Sequence, residues 1–346
     1  MYYDLTRGKI SRSLILFALP MIAGNLLQQF YNIADTLIVG RVLGSNALAA
    51  VGSSYTLMTF LTSIFLGLSM GAGALFSIYQ GRKDLSSLKL SILHAFLLIL
   101  AVTLVLNLAV YAGIEPILTF LRVPDEVRPG MRTYLLIIFA GLIATSVYNF
   151  FSCMLRALGN SSVPLIFLAV SAVLNIALDL LFVAVLPFGI AGAALATVLA
   201  QYVSAVGILL YVLLRCRMWL PSKKEWRFSH SILKEILNLS SMTCIQQSVM
   251  NFGILMVQGL VNSFGPAAFA AAVKIDTFAY LPVQDFGNAY STFTAQNYGA
   301  GNHERIRRGT KDAFALSAAF SIVISLLVNL FAHPLMQIFV KASEME

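Results

Sequence analysis

The sequence predicts an all-α integral membrane protein with about nine transmembrane helices. They form one complete six-helix lobe and half of a second, pseudo-symmetric lobe. Three observations predict this. Hydrophobic residues make up 59% of the chain and charged residues 11%, with a mean hydropathy of +0.83, whereas soluble domains carry about 25% charged residues. Nine apolar runs follow one another along the chain. The third observation is an internal repeat at a spacing of about 220 residues.

The runs cover residues 14–39, 47–76, 88–114, 133–155, 163–187, 190–214, 232–262, 268–298 and 313–340. Each exceeds the roughly 20 residues that a helix needs to cross the hydrocarbon core, and the longer ones are expected to tilt or project beyond it. Alternating polar strands are absent, which argues against a barrel. The first run is too long for a signal-peptide core and lacks a small-residue cleavage site, so no cleavable leader is expected.

The net charge is +8, and its distribution explains it. With the N-terminus in the cytoplasm, the cytoplasmic segments hold seventeen of the 23 basic residues, among them Arg7, Lys9, Arg82, Lys83, Arg215, Arg217, Lys223, Lys224, Arg227 and Arg305. The outer segments hold five: Arg41, Arg122, Arg128, Arg132 and Lys341. This positive-inside bias predicts a multi-pass cell-membrane protein with a cytoplasmic N-terminus. It accounts for the basic residues without a nucleic-acid partner. Cys153, Cys216 and Cys244 have no metal or redox spacing, and the four histidines are scattered.

The repeat pairs Gly44-Ser45-Asn46-Ala47-Leu48-Ala49-Ala50 with Gly265-Pro266-Ala267-Ala268-Phe269-Ala270-Ala271, 221 positions on. Tyr79-Gln80-Gly81 resembles Asn297-Tyr298-Gly299, and Pro116-Ile117-Leu118 matches Pro334-Leu335-Met336 at 218 positions. Weak singly, the matches in order imply two homologous halves, as in many secondary transporters. The expected division is an N-terminal lobe over 1–214, a basic cytoplasmic linker over 215–234 and a partial C-terminal lobe over 235–346. Spans 1–3 should then superpose on spans 7–9 about an axis near the membrane normal. Counterparts of 133–214 are missing, so the expected parent is a twelve-helix transporter cut short at its C-terminus.

Four of the fifteen acids lie well inside apolar runs: Asp35, Asp179, Asp276 and Asp285. A carboxylate at the centre of a membrane helix costs about 2.5 kcal/mol or more even on lenient insertion scales. In the first run, Asn25, Gln28, Asn32 and Asp35 share one helical face. That face must meet other helices, as a hydrogen-bonded seam, or line a water-filled cavity. Pro20 in the same run removes a backbone hydrogen bond, so a kink near 16–20 is expected, either static or used in transport. Asn175 and Asp179 share a face of the fifth run. At about 1.5 Å of rise per residue, Asp35, Asp179 and Thr197 of the sixth run occupy similar depth in the outer half. Two carboxyls at one buried site would hold one proton between them, or share a monovalent cation such as Na⁺ with Asn175 and Thr197 oxygens. Lys274, Asp276 and Asp285 of the eighth run either line a cavity or neutralise neighbours. Gly67-Leu68-Ser69-Met70-Gly71 has the GxSxG form but lies in an apolar helix, where the glycines serve close packing rather than a nucleophile elbow.

These residues resemble the multidrug and toxic compound extrusion (MATE) transporters, in particular the prokaryotic branch related to the DNA-damage-inducible protein F type. The resemblance is carried by Leu19-Pro20 with Asp35-Thr36-Leu37-Ile38-Val39-Gly40, by Arg156-Ala157-Leu158-Gly159-Asn160, by Asn175-Ile176-Ala177-Leu178-Asp179, by Gly189-Ile190-Ala191-Gly192-Ala193-Ala194 and by Gln296-Asn297-Tyr298-Gly299-Ala300-Gly301. It implies two six-helix lobes in a V, exporting drugs against inward H⁺ or Na⁺. It also implies an N-lobe cation site of Asp35, Asn175, Asp179, Thr197 and Tyr134, a cavity that Gln28 and Asn32 line, small cationic substrates, no cofactor besides the coupling ion, no catalytic residues, and a monomer. One departure is Ile245-Gln246-Gln247-Ser248 in the seventh run, where a sister branch carries a Glu; this favours coupling in the N-lobe. The alternatives are a lipid-linked precursor flippase, which should carry several in-membrane cations where Lys274 stands alone, an intramembrane enzyme, for which no nucleophile–base pair can be assembled, and an inactive fragment.

Overall fold

The computed structural model describes residues 3–120, 123–261 and 266–330, with side chains other than those of 45, 56, 120, 254–279 and 327–329. Every long element is a helix, as a chain with no water to satisfy its backbone requires. Helices α1 (Ile10–Leu43), α2 (Ser45–Arg82) and α3 (Leu85–Ala112) run up, down and up. The short α4 (Ile114–Phe120) caps the far end. The next crossing is α5 (Arg128–Ile138) followed by α6 (Leu142–Ala157), then α7 (Ser162–Asp179) and α8 (Gly189–Arg215). The second repeat contributes α9 (His230–Val261), α10 (Pro266–Gly299) and α11 (His303–Leu330). Seven crossings among the described residues are long and apolar enough to span a membrane: α1, α2, α3, α5 with α6, α7 with its extension, α8 and α11. Helices α9 and α10, at 32 and 34 residues, have the length to do so.

The linker is shorter than expected. Arg215 ends α8 and Lys234 lies inside α9, so the irregular stretch is 216–229, with two short 3₁₀ turns at Arg217–Trp219 and Lys223–Glu225. The face bearing the N-terminus and this linker is called the basic face here. At the opposite face, Glu115 of α4 clamps Arg128 (3.0 Å) and Arg132 (2.7 Å). Both guanidiniums hold the Glu115 carboxyl below its usual range. One carboxylate is thus shared by two guanidiniums and offsets one of their two positive charges.

Two breaks in helical geometry were not legible in the sequence. Phe139–Gly141 is 3₁₀ between α5 and α6. Side chains from neighbouring helices donate to carbonyls around it: Asn107 to Phe139 O (2.6 Å), Tyr202 to Ala140 O (2.9 Å) and Tyr111 to Leu136 O (2.8 Å). After Asp179 the chain winds into a π-helix over Leu180–Val185. Helix α1 is continuous through Pro20.

The halves meet through a reciprocal contact. A Cβ on Gly81 would strike Gln296 O, and one on Gly299 would strike Ile78 O. These are the same pair of positions exchanged by the 218-residue repeat, the signature of a pseudo-two-fold axis. Gly67 and Gly71 face the backbones of Cys244 and Ser240 on α9 with no room for a Cβ. This is the close packing expected of small residues in membrane helices. Ser69 is buried and donates to Phe65 O at 2.7 Å. At the basic face the N-terminal segment ties in as well: Tyr3 N–H donates to Gly159 O (2.8 Å), while Arg305 of α11 donates to Gly8 O (2.8 Å) and Arg7 O (2.7 Å).

Candidate functional site

The amide stripe on α1 spans two environments. Toward the basic face, Asn25 Nδ2 reaches across to α10 and donates to both oxygens of Asp285, each at 2.7 Å. Asp285 is 1% exposed, with Asn288 and Arg156 close by. It is a buried, saturated carboxyl between helices, not a cavity wall. Gln28 and Asn32, half-buried, occupy the middle of the stripe, and Gln28 interacts with Tyr31. Lys274 and Asp276 have side chains outside the described residues.

Toward the opposite face the stripe ends at Asp35, where α1 packs against α7, its π-helical extension and α8. The Asp35 and Asp179 carboxyls lie within hydrogen-bonding reach of each other. Asp179 is fully buried and Asn175 is 2% exposed. Asn175 Nδ2 donates to Thr197 Oγ1 of α8 at 3.3 Å. Tyr134 of α5 is buried and lies close enough to both carboxyls, and to Tyr31, to feel their charge. The five residues expected at one site are therefore brought together, from α1, α5, α7 and α8.

What the pocket lacks is donors. Asp35 Oδ1, Asn175 Oδ1 and both Asp179 oxygens are buried with no hydrogen-bond partner among the protein's groups. Buried polar atoms are nearly always paired, and an orphaned carboxylate is expensive. Four orphaned oxygens converging on one place suit a group that brings positive charge: a proton bridging the carboxyls, or a small cation that takes oxygen ligands. Gln201 Oε1, one turn past Thr197 on α8, is another buried acceptor without a partner; it lies where Gly141 of the 3₁₀ break leaves out a Cβ. Sequence reasoning missed Tyr31 and Gln201, although each stands four residues from a chosen one (Asp35 and Thr197) and so on the same helical face. It missed the π-helix altogether. Such bulges recur at functional sites.

A protein-family model described as MatE matches residues 20–181 and 239–345. The "Probable multidrug resistance protein YpnP" of Bacillus subtilis is 34% identical over 310 residues, 88% of this chain and 68% of the relative. The "Probable multidrug resistance protein NorM" of Thermotoga maritima is 27% identical over 96% of this chain and 72% of its own. The "FAD transporter" of Shewanella oneidensis is 25% identical over 97% and 76%. Among solved structures, the outward-facing conformation of a multidrug resistance MATE family transporter aligns with a TM-score of 0.91 at 23% identity, over 98% of this chain and 76% of that one.

Proposed function

This chain belongs to the MatE family, and on that premise we propose that it exports small organic molecules across the cell membrane in exchange for H⁺ or Na⁺ bound between Asp35 and Asp179. The observation that carries the ion site is the set of four partnerless oxygens on Asp35, Asn175 and Asp179. A static helix seam would saturate them, as Asn25 saturates Asp285.

The mechanism follows from where the site sits. Asp35 is on α1, which also touches α10 of the second repeat through Asn25. Asp179 closes the regular part of α7, where the backbone changes to π geometry. An ion or proton between the two carboxyls holds α1 against α7; its departure leaves two like charges facing each other and favours their separation. Pro20, with one backbone bond already absent, is the place on α1 where bending costs least. Movement at Asp35 is thereby transmitted along α1 to its contact with α10. Tyr134 and Thr197 hold the carboxyls and Asn175 in register, and Gln28 and Asn32 contribute polar wall to the substrate path.

The basic face is the cytoplasmic one in this reading. Cationic substrates suit a path that passes the Asp35–Asp179 carboxyl pair. Relatives' names run from multidrug resistance proteins to an FAD transporter, so substrate chemistry is settled by measurement. Efflux of a fluorescent cation from proteoliposomes, with pH and Na⁺ gradients imposed separately, is the test. Export driven by one gradient and lost in Asp179→Asn supports the reading. Export that is independent of both gradients, or unaffected by Asp179→Asn, overturns it.

A further inference from the structure

Far from the carboxyl pair, a groove of about 450 Å³ lies between α3 and the linker joining the two repeats. The linker is tied along α3 rather than looped out. Lys89 Nζ meets Glu225 Oε1 at 2.9 Å, and the Ser229 N–H donates to His94 Nε2 at 3.0 Å. Nδ1 of the buried His94 lies 2.8 Å from Leu90 O, which fixes the imidazole as a neutral tautomer with its proton on Nδ1. Its ring lies 5.5 Å from Phe228. These ties raise Trp226, Arg227 and Phe228 against the flank of α3, beside Leu97.

The resulting surface pairs two chemistries. Leu97, Trp226 and Phe228 are 53%, 60% and 75% exposed, on a flank that faces bilayer. Arg227 lines the same groove. The linker's only carboxylate is committed to Lys89, whereas Arg227, Lys223 and Lys224 are exposed and have no acid partner among the described residues. Tryptophan and arginine at this level mark the headgroup region.

We propose that this groove binds an anionic phospholipid of the leaflet at the basic face, its acyl chain along Leu97 and Phe228 and its phosphate on Arg227. An anionic headgroup is favoured over a zwitterionic one because a choline or ammonium group finds no free carboxylate among the described residues of the groove and would sit beside the Arg227 guanidinium. A lipid seated there holds the linker to α3, and so sets where α9 of the second repeat begins.

The chain's two tryptophans allow a direct test. The protein is reconstituted in phosphatidylcholine–phosphatidylglycerol bilayers in which either lipid carries brominated chains at equal mole fraction. Trp226→Phe reports the contribution of Trp219, and subtraction isolates Trp226 without relying on a Trp219 variant. Brominated phosphatidylglycerol should quench Trp226 roughly twofold more than brominated phosphatidylcholine. Arg227→Gln should erase the preference, and Lys223→Gln/Lys224→Gln should leave most of it. Equal quenching by the two lipids overturns the proposal, as does a preference that survives Arg227→Gln or disappears with the lysines alone.

Discussion

Helix α1 presents two buried acids with opposite surroundings. At one end its own Asp35 meets Asp179, and the oxygens there find no donor. Toward the other end its Asn25 fills both oxygens of Asp285 on α10. Both acids are in apolar helices and both are costly to bury. A carboxyl that accepts from a neighbouring helix behaves as a rivet, whereas a pair whose oxygens find no donor favours a proton or cation between them. The halves contrast similarly across the pseudo-two-fold. By the 218-residue repeat, Asp285 and Asn25 stand where Gly67 and Thr243 stand in the other crossing. There the contact is backbone against backbone, with Gly67 beneath Cys244 and Gly71 beneath Ser240. One crossing carries a polar bond between two side chains; the other is a close backbone approach, across which Ser240 Oγ donates to Leu68 O at 3.0 Å.

The largest expected effect tests the carboxyl pair. Asp35→Asn and Asp179→Asn should each reduce gradient-driven export to background, a loss of about 100-fold or more, while expression and thermal stability hold. The double variant should be no worse than either single one, because the carboxyls act together. If Asp35→Asn exports normally, the contrast with Asp285 fails at its functional end.

The rivet should respond the other way. Asn25→Ala strips the donor from a fully buried carboxylate and should cost about 3 kcal/mol of stability, read as a lower melting temperature in detergent. Replacing both partners, as Asn25→Leu with Asp285→Leu, should return most of that stability, since no polar atom is then left unpaired. Melting temperatures that fall equally in the single and the paired variant would show that Asp285 does more than hold α1 to α10.

Much of this was legible in the sequence, for definite reasons. The spans follow from hydrophobic length, the basic face from charge asymmetry, and the halves from the repeat. Of the five site residues, Asp35, Asp179 and Thr197 were matched in depth by helical rise and Asn175 by sharing a face with Asp179, whereas Tyr134 came only from the family resemblance. What sequence could not tell was which in-span acid is satisfied. Asp35 and Asp285 look alike until Asn25 is seen to turn away from the other stripe residues toward α10. Nor could composition reveal the π-helix after Asp179 or the 3₁₀ break at Phe139–Gly141. The 3₁₀ break depends on where neighbouring helices place side chains such as Asn107 and Tyr202.

The glycine crossing sharpens the comparison with a steric change. Gly71→Ala puts a Cβ into the Ser240 backbone, so α2 and α9 must move apart. The expected cost is about 2 kcal/mol. The same change at Ala72, buried but not at that contact, has no equivalent because alanine already fits there. Crosslinking rates between cysteines placed at positions 64 and 248 should fall in Gly71→Ala and stay unchanged in Asn25→Ala. Equal losses in both would mean that the two crossings open as one unit.

The smallest expected effect lies beside the carboxyl pair. Thr197 offers one neutral hydroxyl, held 3.3 Å from Asn175 Nδ2, beside two carboxylates. Thr197→Val removes that oxygen and frees the Asn175 amide, a change worth about 1 kcal/mol. The apparent affinity for the coupling ion should therefore weaken by roughly fivefold, with the maximal rate regained when the ion is saturating. Thr197→Ser keeps the hydroxyl and should restore affinity, which a purely volume-driven defect would not. The half-saturation concentration for the driving ion, read from transport rates in proteoliposomes, separates the cases. A Thr197→Val protein whose maximal rate is as low as that of Asp179→Asn would move the centre of the site from the acid pair to α8. Asp35 and Asp179 would then need another account of why their buried oxygens find no donor among the protein's own groups.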